Sequence, residues 1–149
     1  MALTWDDSTG VLELPSGRRV RGRGLRESMP PGPQPEFGLY LVGREPAPVA
    51  WPSRWLRWRD FWLPADRAAA ADAFREVWER AETERVEVAC FGGRGRTGTA
   101  LAAIAVIDGV PVHRAVDYVR ANYREGAVET PWQRRYVARF TQGDRPSGS

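Results

Sequence analysis

The chain of 149 residues contains no lysine, one histidine and one cysteine, Cys90. The missing lysine excludes Schiff-base chemistry on a lysine amine and phosphate loops that depend on a lysine. A single cysteine can form no intrachain disulfide and cannot supply the paired thiols of a structural zinc site. We therefore expect neither a disulfide framework nor a metal site built on thiols, and any sulfur chemistry depends on Cys90.

The sequence also lacks an apolar run of eighteen residues, and its start, MALTWDDSTG, has neither the basic nor the apolar part of a secretory signal. These absences predict a cytoplasmic protein without a membrane span. Its hydrophobic share of 42% and charged share of 28% are those of ordinary folded chains, and its length fits one domain. We expect that domain to cover residues 1–142, followed by a flexible tail at 143–149.

Hydrophobic periodicity predicts an α/β domain. The run GVLELPSGRRVRGRGL predicts a β-hairpin, and residues 39–42 predict a short strand. Helical spacing of apolar residues predicts an amphipathic helix over 65–81 and two more helices after Gly109. RVEVAC predicts a strand, and GTALAAIAVID, apolar on every side, predicts a helix buried in the middle of the fold.

Between this strand and the buried helix lies CFGGRGRTGT, a loop with three glycines between Cys90 and Arg96. Glycine lets consecutive backbone N–H groups turn toward one point, and the helix N-terminus adds positive charge there. Such surroundings activate a thiol as a nucleophile, and a guanidinium binds the oxygens of a phosphate in a bidentate manner. The loop therefore predicts a phosphate site with Cys90 as the nucleophile. The phosphate-binding residues that it predicts are Phe91, Gly92, Gly93, Arg94, Gly95 and Arg96.

Dinucleotide binding and nucleic-acid binding are two alternatives to this phosphate site. The loop contains GRGRTG, which has the G-x-G-x-x-G spacing of dinucleotide-binding loops. That fold needs a strand ending in an acid about 20 residues further on, whereas here the region is helical, with Asp117 in mid-helix. The nine arginines and five acids from Val88 onward favour anionic ligands, but without a wider basic excess or a known motif they do not predict a nucleic-acid partner.

The loop resembles the H-C-x-x-G-x-G-R-[ST] signature of the cysteine-dependent protein tyrosine and dual-specificity phosphatases. Cys90, Gly93, Gly95, Arg96 and Thr97 occupy its fixed positions. The resemblance implies a four- or five-stranded sheet flanked by helices. It implies hydrolysis of phosphate monoesters, above all phosphotyrosine in proteins, through a phosphocysteine intermediate and without a metal or cofactor. In this chemistry Thr97 stabilises the thiolate as it leaves.

Two further segments extend the resemblance. WRDF, with Trp58, resembles the family's Trp-Pro-Asp acid loop, which makes Asp60 the candidate general acid, with Asp66 and Asp72 as rivals. VETPWQ resembles the loop that positions the hydrolytic water through a glutamine, so the resemblance gives that role to Gln133. The same segment also predicts a capped helix start.

Two positions depart from the family pattern. Ala89 stands where the family has a histidine before the nucleophile, and Arg59 replaces the proline of the acid loop. These differences leave open a pseudophosphatase that binds phosphorylated partners without turnover, and Arg94 leaves open phosphoinositides or other non-protein phosphates. The expected partners are phosphorylated proteins or small phosphomonoesters, with no nucleic acid, and the sequence leaves the oligomeric state open.

Overall fold

The computed structural model of the chain describes residues 4–6 and 8–141. Within them the chain forms a five-stranded sheet and four α-helices, which confirms the α/β class and the single central sheet. The strands are β1 (Val11–Glu13), β2 (Arg19–Gly24), β3 (Phe37–Val42), β4 (Ser53–Arg57) and β5 (Val86–Cys90). The helices are α1 (Arg67–Arg80), α2 (Gly95–Ile107), α3 (Ala115–Asn122) and α4 (Pro131–Ala138). The tail predicted at 143–149 lies outside the described residues.

The strand order is β1-β2-β5-β3-β4, with β1 antiparallel to β2 and every other pairing parallel. The hairpin predicted from the sequence is the pair β1–β2. Since β2, β5, β3 and β4 run in one direction, their carboxyl ends meet at one edge of the sheet. In α/β sheets, ligands bind at this edge.

Helix α2 lies at the centre of the core, as predicted. Every residue from Gly95 to Ile107 except Val106 is buried, and the helix packs against β2, β5 and the other helices. Burial of a side chain such as Leu101 contributes about 1.5–3 kcal/mol, so this helix is a main source of stability. In the described part of the chain, no helix has the length and apolarity needed to span a membrane.

The other face of the sheet buries a charged cluster. Glu87 on β5 accepts hydrogen bonds from Arg21 Nη2 at 2.7 Å, Arg23 Nε at 2.8 Å and the Tyr40 hydroxyl at 2.8 Å. Burial acts to raise the pKa of Glu87, but the hydrogen bonds from Arg23 and Arg21 outweigh it and hold the pKa below its ordinary value. Because side chains alternate along a strand, Ala89 faces this cluster while Cys90 faces α2.

Three elements differ from the sequence-based expectations. Strand β4 lies in the tryptophan-rich segment, for which no element was predicted; it is an edge strand in which only Leu56 is buried, so its pattern has little alternation. Helix α2 begins at Gly95, three residues before the expected start at Gly98, because the glycine-rich segment itself turns into the helix. The helix expected after Gly109 begins as a 3₁₀ turn at Val112–Arg114 before α3.

Candidate active site

Residues 91–95, which link β5 to the helix and include the first residue of α2, are here called the glycine loop. Side chains from outside the loop donate hydrogen bonds to its carbonyl oxygens. Arg124 Nη1 donates to the Gly92 carbonyl at 3.2 Å, and the Tyr123 hydroxyl donates to the Gly93 carbonyl at 2.7 Å. Burial raises the pKa of the Tyr123 phenol, so this donor stays protonated. Of the six backbone N–H groups of residues 91–96, five have no acceptor among the residues that the structure describes: those of Phe91, Gly92, Arg94, Gly95 and Arg96. Free donors at a helix N-terminus form a binding site for an anion.

Cys90, the last residue of β5, lies beneath this ring of donors and is 2% exposed. Its Sγ accepts hydrogen bonds from the Gly93 N–H at 3.2 Å and from Thr97 Oγ1 at 3.1 Å. Donors favour a sulfur that carries negative charge. Both come from the glycine loop and the first turn of α2, so Ala89, on the opposite face of β5, takes no part in holding the sulfur.

Arg96, in the first turn of α2, is 2% exposed and carries a buried unpaired donor. Its Nη1 donates to the Trp58 carbonyl at 3.0 Å, and its Nη2 lies 3.5 Å from Asp60 Oδ1. Its Nε has no partner in the described residues. A buried donor without a partner is costly, so this guanidinium is arranged for a ligand that bonds to it.

The acid loop, residues 58–64, is closed by an antiparallel bridge between Trp58 and Pro64. It brings Asp60, half exposed, to the same cleft as Cys90 and Arg96. The two rival carboxylates lie elsewhere: Asp66 caps α1 by accepting from the Ala69 N–H at 3.0 Å, and Asp72 pairs with Arg54 at 2.9 Å. Of the three candidates, Asp60 is therefore the one that the fold places beside the sulfur.

Two side chains of helix α4 donate hydrogen bonds to the acid loop. Trp132 Nε1 donates to the Phe61 carbonyl, and Gln133 Nε2 donates to the Trp62 carbonyl at 3.3 Å. Gln133 Oε1 also accepts from the Glu129 and Thr130 N–H groups at 3.0 and 3.2 Å, within the predicted capping box. Gln133 is thus buried at the loop rather than in the cleft, and its amide is bonded to protein on both sides.

The cleft above Cys90 has a volume of about 310 Å³. Its lining includes three charged side chains to which the sequence analysis assigned no role: Arg26, Arg124 and Glu129. The Glu129 carboxylate lies beside the glycine loop, since a Cβ on Gly95 would come within 2.3 Å of its Oε1. Glu129 was missed because it directly precedes the capping segment and carries no motif of its own.

The glycine loop is seated on the end of β2. A Cβ on Gly24 would come within 2.8 Å of the Gly92 carbonyl carbon, and one on Gly93 within 2.6 Å of the Gly24 nitrogen. Gly93 also has a φ of 73°, which glycine adopts without strain. Close backbone contact between Gly24 and the loop fixes the ring of N–H groups, and nothing in the sequence around Gly24 indicates it.

The family model for the protein-tyrosine phosphatase domain matches residues 42–141, which include β4, the acid loop, β5, the glycine loop and all four helices. The chain belongs to the protein-tyrosine phosphatase family. Within this phosphatase domain, Cys90, Arg96 and Thr97 stand at the signature positions, and the fold brings Asp60 to them.

Comparison with solved structures agrees with this family. The active form of Tk-PTP has a TM-score of 0.58 and 26% identity, over 72% of this chain and 80% of that chain. A kinase associated phosphatase with its catalytic-site cysteine replaced by serine has a TM-score of 0.55 and 16% identity, over 68% of this chain and 67% of that chain. PTPMT1 has a TM-score of 0.51 and 14% identity, over 72% of this chain and 76% of that chain. The kinase associated phosphatase and PTPMT1 show that this chain shares their fold.

Two uncharacterised proteins of Methanocaldococcus jannaschii also resemble part of the chain. MJ0215 is 44% identical over 57 residues, and MJECL20 is 47% identical over 55 residues. These matches cover 38% and 37% of this chain, and 35% and 36% of the relatives. The chain therefore spans about a third of the length of these curated relatives.

Proposed function

We propose that the chain hydrolyses phosphate monoesters through a phosphocysteine at Cys90, and that phosphotyrosine in proteins is its preferred substrate. The main support is the set of unpaired donors around one sulfur: five backbone N–H groups and the buried Nε of Arg96. A bound phosphate supplies acceptors for all of them at once. The same donors stabilise the equatorial oxygens of a transition state for phosphoryl transfer.

In the first step, the Cys90 thiolate uses a lone pair on sulfur to form a bond to phosphorus. The bond between phosphorus and the ester oxygen breaks, and its electron pair goes to that oxygen, which takes a proton from the carboxyl group of Asp60. Asp60 is half exposed and lines the same cleft as Cys90, so the proposal gives it the role of proton donor to the leaving group. The products of this step are a free alcohol or phenol and phosphocysteine.

In the second step, water attacks phosphorus and gives a proton to the Asp60 carboxylate. The bond between sulfur and phosphorus breaks, the electron pair returns to sulfur, and inorganic phosphate is released. Thr97 Oγ1, 3.1 Å from Sγ, stabilises the returning charge. Gln133 orients the water in this proposal, which requires its Nε2 to leave the Trp62 carbonyl when the acid loop moves.

Aromatic side chains at the cleft support an aryl substrate. Phe61 lines the cleft and is 50% exposed, and Trp62 follows it at 59% exposure. An exposed aromatic ring buries apolar area and gains ring contacts when a phenyl ring enters beside it. Phosphotyrosine supplies such a ring, whereas phosphoserine supplies none.

Hydrolysis assays with matched peptides test this function. Wild-type protein releases phosphate from p-nitrophenyl phosphate and from a phosphotyrosine peptide, and it acts more slowly on the same peptide with phosphoserine. Cys90→Ser retains binding of the phosphotyrosine peptide and loses turnover. The proposal fails if wild-type protein releases no phosphate from any of these esters, or if Cys90→Ser hydrolyses them at the wild-type rate.

A further inference from the structure

A second cleft, of about 440 Å³, adjoins the one above Cys90 and is here called the basic cleft. Asp60 and Arg96 line both clefts, so the two share a wall. The lining of the basic cleft includes five arginines and one carboxylate, that of Asp60. The five arginines are Arg26, Arg44, Arg57, Arg59 and Arg96.

These arginines lie close together because of the order and direction of the strands. Arg44 follows β3, Arg57 is the last residue of β4, and Arg26 lies two residues after β2. All three strands end at the same edge as Cys90. The acid loop adds Arg59, which packs over the chain after β3, since a Cβ on Gly43 would lie 3.7 Å from its Cα and Cγ.

Three of the five arginines of the basic cleft have no acidic partner among the described residues, unlike several arginines elsewhere on the surface. Arg19, Arg54 and Arg80 each lie within about 3 Å of a carboxylate oxygen. Arg44, Arg57 and Arg59 have no such partner in the described ranges, 4–6 and 8–141.

The remaining charges near the basic cleft do not neutralise it. Arg26 stacks over the Phe91 ring at 5.5 Å. Glu45 follows Arg44 but does not line the cleft, and Asp60 is already near Arg96, at 3.5 Å. Like charges that converge without counter-charges repel one another, which costs stability and favours an anionic ligand.

We propose that the basic cleft binds a second phosphoryl group of the substrate while the first occupies the glycine loop. This inference rests on the proposed function and deepens it, because it names doubly phosphorylated molecules as the preferred substrates. The two phosphoryl groups lie close together, since the clefts share Arg96 and Asp60. Arg59, which replaces the acid-loop proline, gains a role as a ligand of the second group.

Two pairs of substrates test the inference, and they show whether the doubly phosphorylated substrate is a protein or a small molecule. One pair is a phosphotyrosine peptide whose neighbouring serine is either free or phosphorylated. The other pair is a soluble inositol phosphate with one phosphate or with two on adjacent carbons. We expect wild-type protein to show kcat/KM about tenfold higher for the doubly phosphorylated member of at least one pair, and that pair identifies the source as protein or small molecule.

The variants Arg44→Gln and Arg57→Gln, singly and together, measure the contribution of the basic cleft. We expect each single change to reduce the preference for the second phosphate by about threefold and the double change to abolish it. Arg114→Gln is the matched control, since Arg114 is an exposed arginine beyond the far end of α2 and leaves the preference unchanged. Thermal unfolding confirms that the variants fold, with a Tm equal to or above that of the wild type.

The outcomes separate this inference from the proposed function. Equal kcat/KM within both pairs, while p-nitrophenyl phosphate is hydrolysed, overturns the basic cleft as a phosphate site and leaves the proposed function standing. If no ester is hydrolysed, fluorescence anisotropy of the two labelled peptides with the wild-type protein decides the matter. Tighter binding of the doubly phosphorylated peptide, lost in the double variant, then supports the inference, and equal binding contradicts it.

Discussion

At the scale of single residues, the surroundings of Cys90 support its proposed role as the nucleophile. Cys90 is buried at the end of β5, with one donor from the glycine loop and one from Thr97. The guanidinium of Arg96 is fixed by the Trp58 carbonyl and keeps its Nε free. In the proposed reaction, charge develops on the sulfur and on the phosphate oxygens, toward which these donors already point.

The half-exposed carboxyl group of Asp60 gives the first prediction. Asp60→Asn removes the proton donor, so we expect hydrolysis of phenyl phosphate to fall about 10²-fold, and hydrolysis of an ester with a strongly acidic phenol to change little. Steady-state rates for a series of aryl phosphates measure this dependence on the leaving group. Asp66→Asn is the control, because Asp66 caps α1 and should leave the dependence unchanged. The same dependence in wild type and Asp60→Asn would assign the acid to another residue.

At the scale of elements, helix α4 positions the acid loop, and Trp132→Phe tests this. The change keeps an aromatic ring against Trp62 but removes the N–H that bonds to the Phe61 carbonyl. Phe61 has a φ of 65°, a strained conformation that persists only when its surroundings hold it. We expect the rate for phenyl phosphate to fall about tenfold and the rate for esters with acidic phenols to fall less, because only the former needs Asp60 in place. An equal loss for both classes of ester would indicate a merely structural effect.

The contact between β2 and the glycine loop gives a second prediction at this scale. Gly24→Ala places a Cβ against the Gly92 backbone at 2.8 Å, so either β2 or the loop must shift. We expect the free energy of unfolding to fall by about 1–3 kcal/mol and the activity to fall more than tenfold. Gly126→Ala is the control, since its Cβ would meet only Arg94 Cδ at 3.7 Å. Urea unfolding and phosphatase assays of both variants check the prediction, and an active, stable Gly24→Ala variant contradicts it.

The parts of the site that the sequence predicts are those formed by residues close together in the chain. The glycine loop and the buried helix follow from short segments in which spacing and residue type carry the signal, and the candidate acid follows from the resemblance of WRDF to the family's acid loop. Gly24, Arg124 and Glu129 could not be predicted, because each reaches the loop through tertiary contacts from a distant part of the chain. Strand β4 was missed for a similar reason: pairing with β3 stabilises it, while its own alternation is weak.

At the scale of the whole molecule, the sheet separates two sets of charges. The carboxyl edge collects the glycine loop, the acid loop and the basic cleft, all of which face solvent. The face opposite α2 buries Glu87 with Arg21 and Arg23, where each charge has a partner. The paired set stabilises the fold, whereas the unpaired set at the edge is available to a ligand.

The buried Glu87 cluster predicts how stability depends on pH. The pKa of Glu87 is lower in the folded protein than its ordinary value of 4.5, so its contribution is present above about pH 4.5 and is lost as pH falls through the folded value. Glu87→Gln should lower the free energy of unfolding by about 3–5 kcal/mol at pH 7. The gap to wild type should shrink as pH falls from about 4.5 through the lower pKa of the folded protein.

Urea unfolding of wild type and Glu87→Gln across this pH range measures the gap. Glu84→Gln is a control, since its partly exposed pair with Arg80 contributes less than about 1 kcal/mol. A gap that is independent of pH would show that the Glu87 charge contributes nothing to folding.

The most direct test of the central claim is to trap the intermediate. Protein mixed with an aryl phosphate is quenched in acid within one turnover, digested and analysed by mass spectrometry. The account predicts one phosphoryl group on the peptide that contains Cys90, and none in Cys90→Ser. Release of phosphate with no label on Cys90 at any quench time, or a phosphoryl group on a different residue, would contradict it.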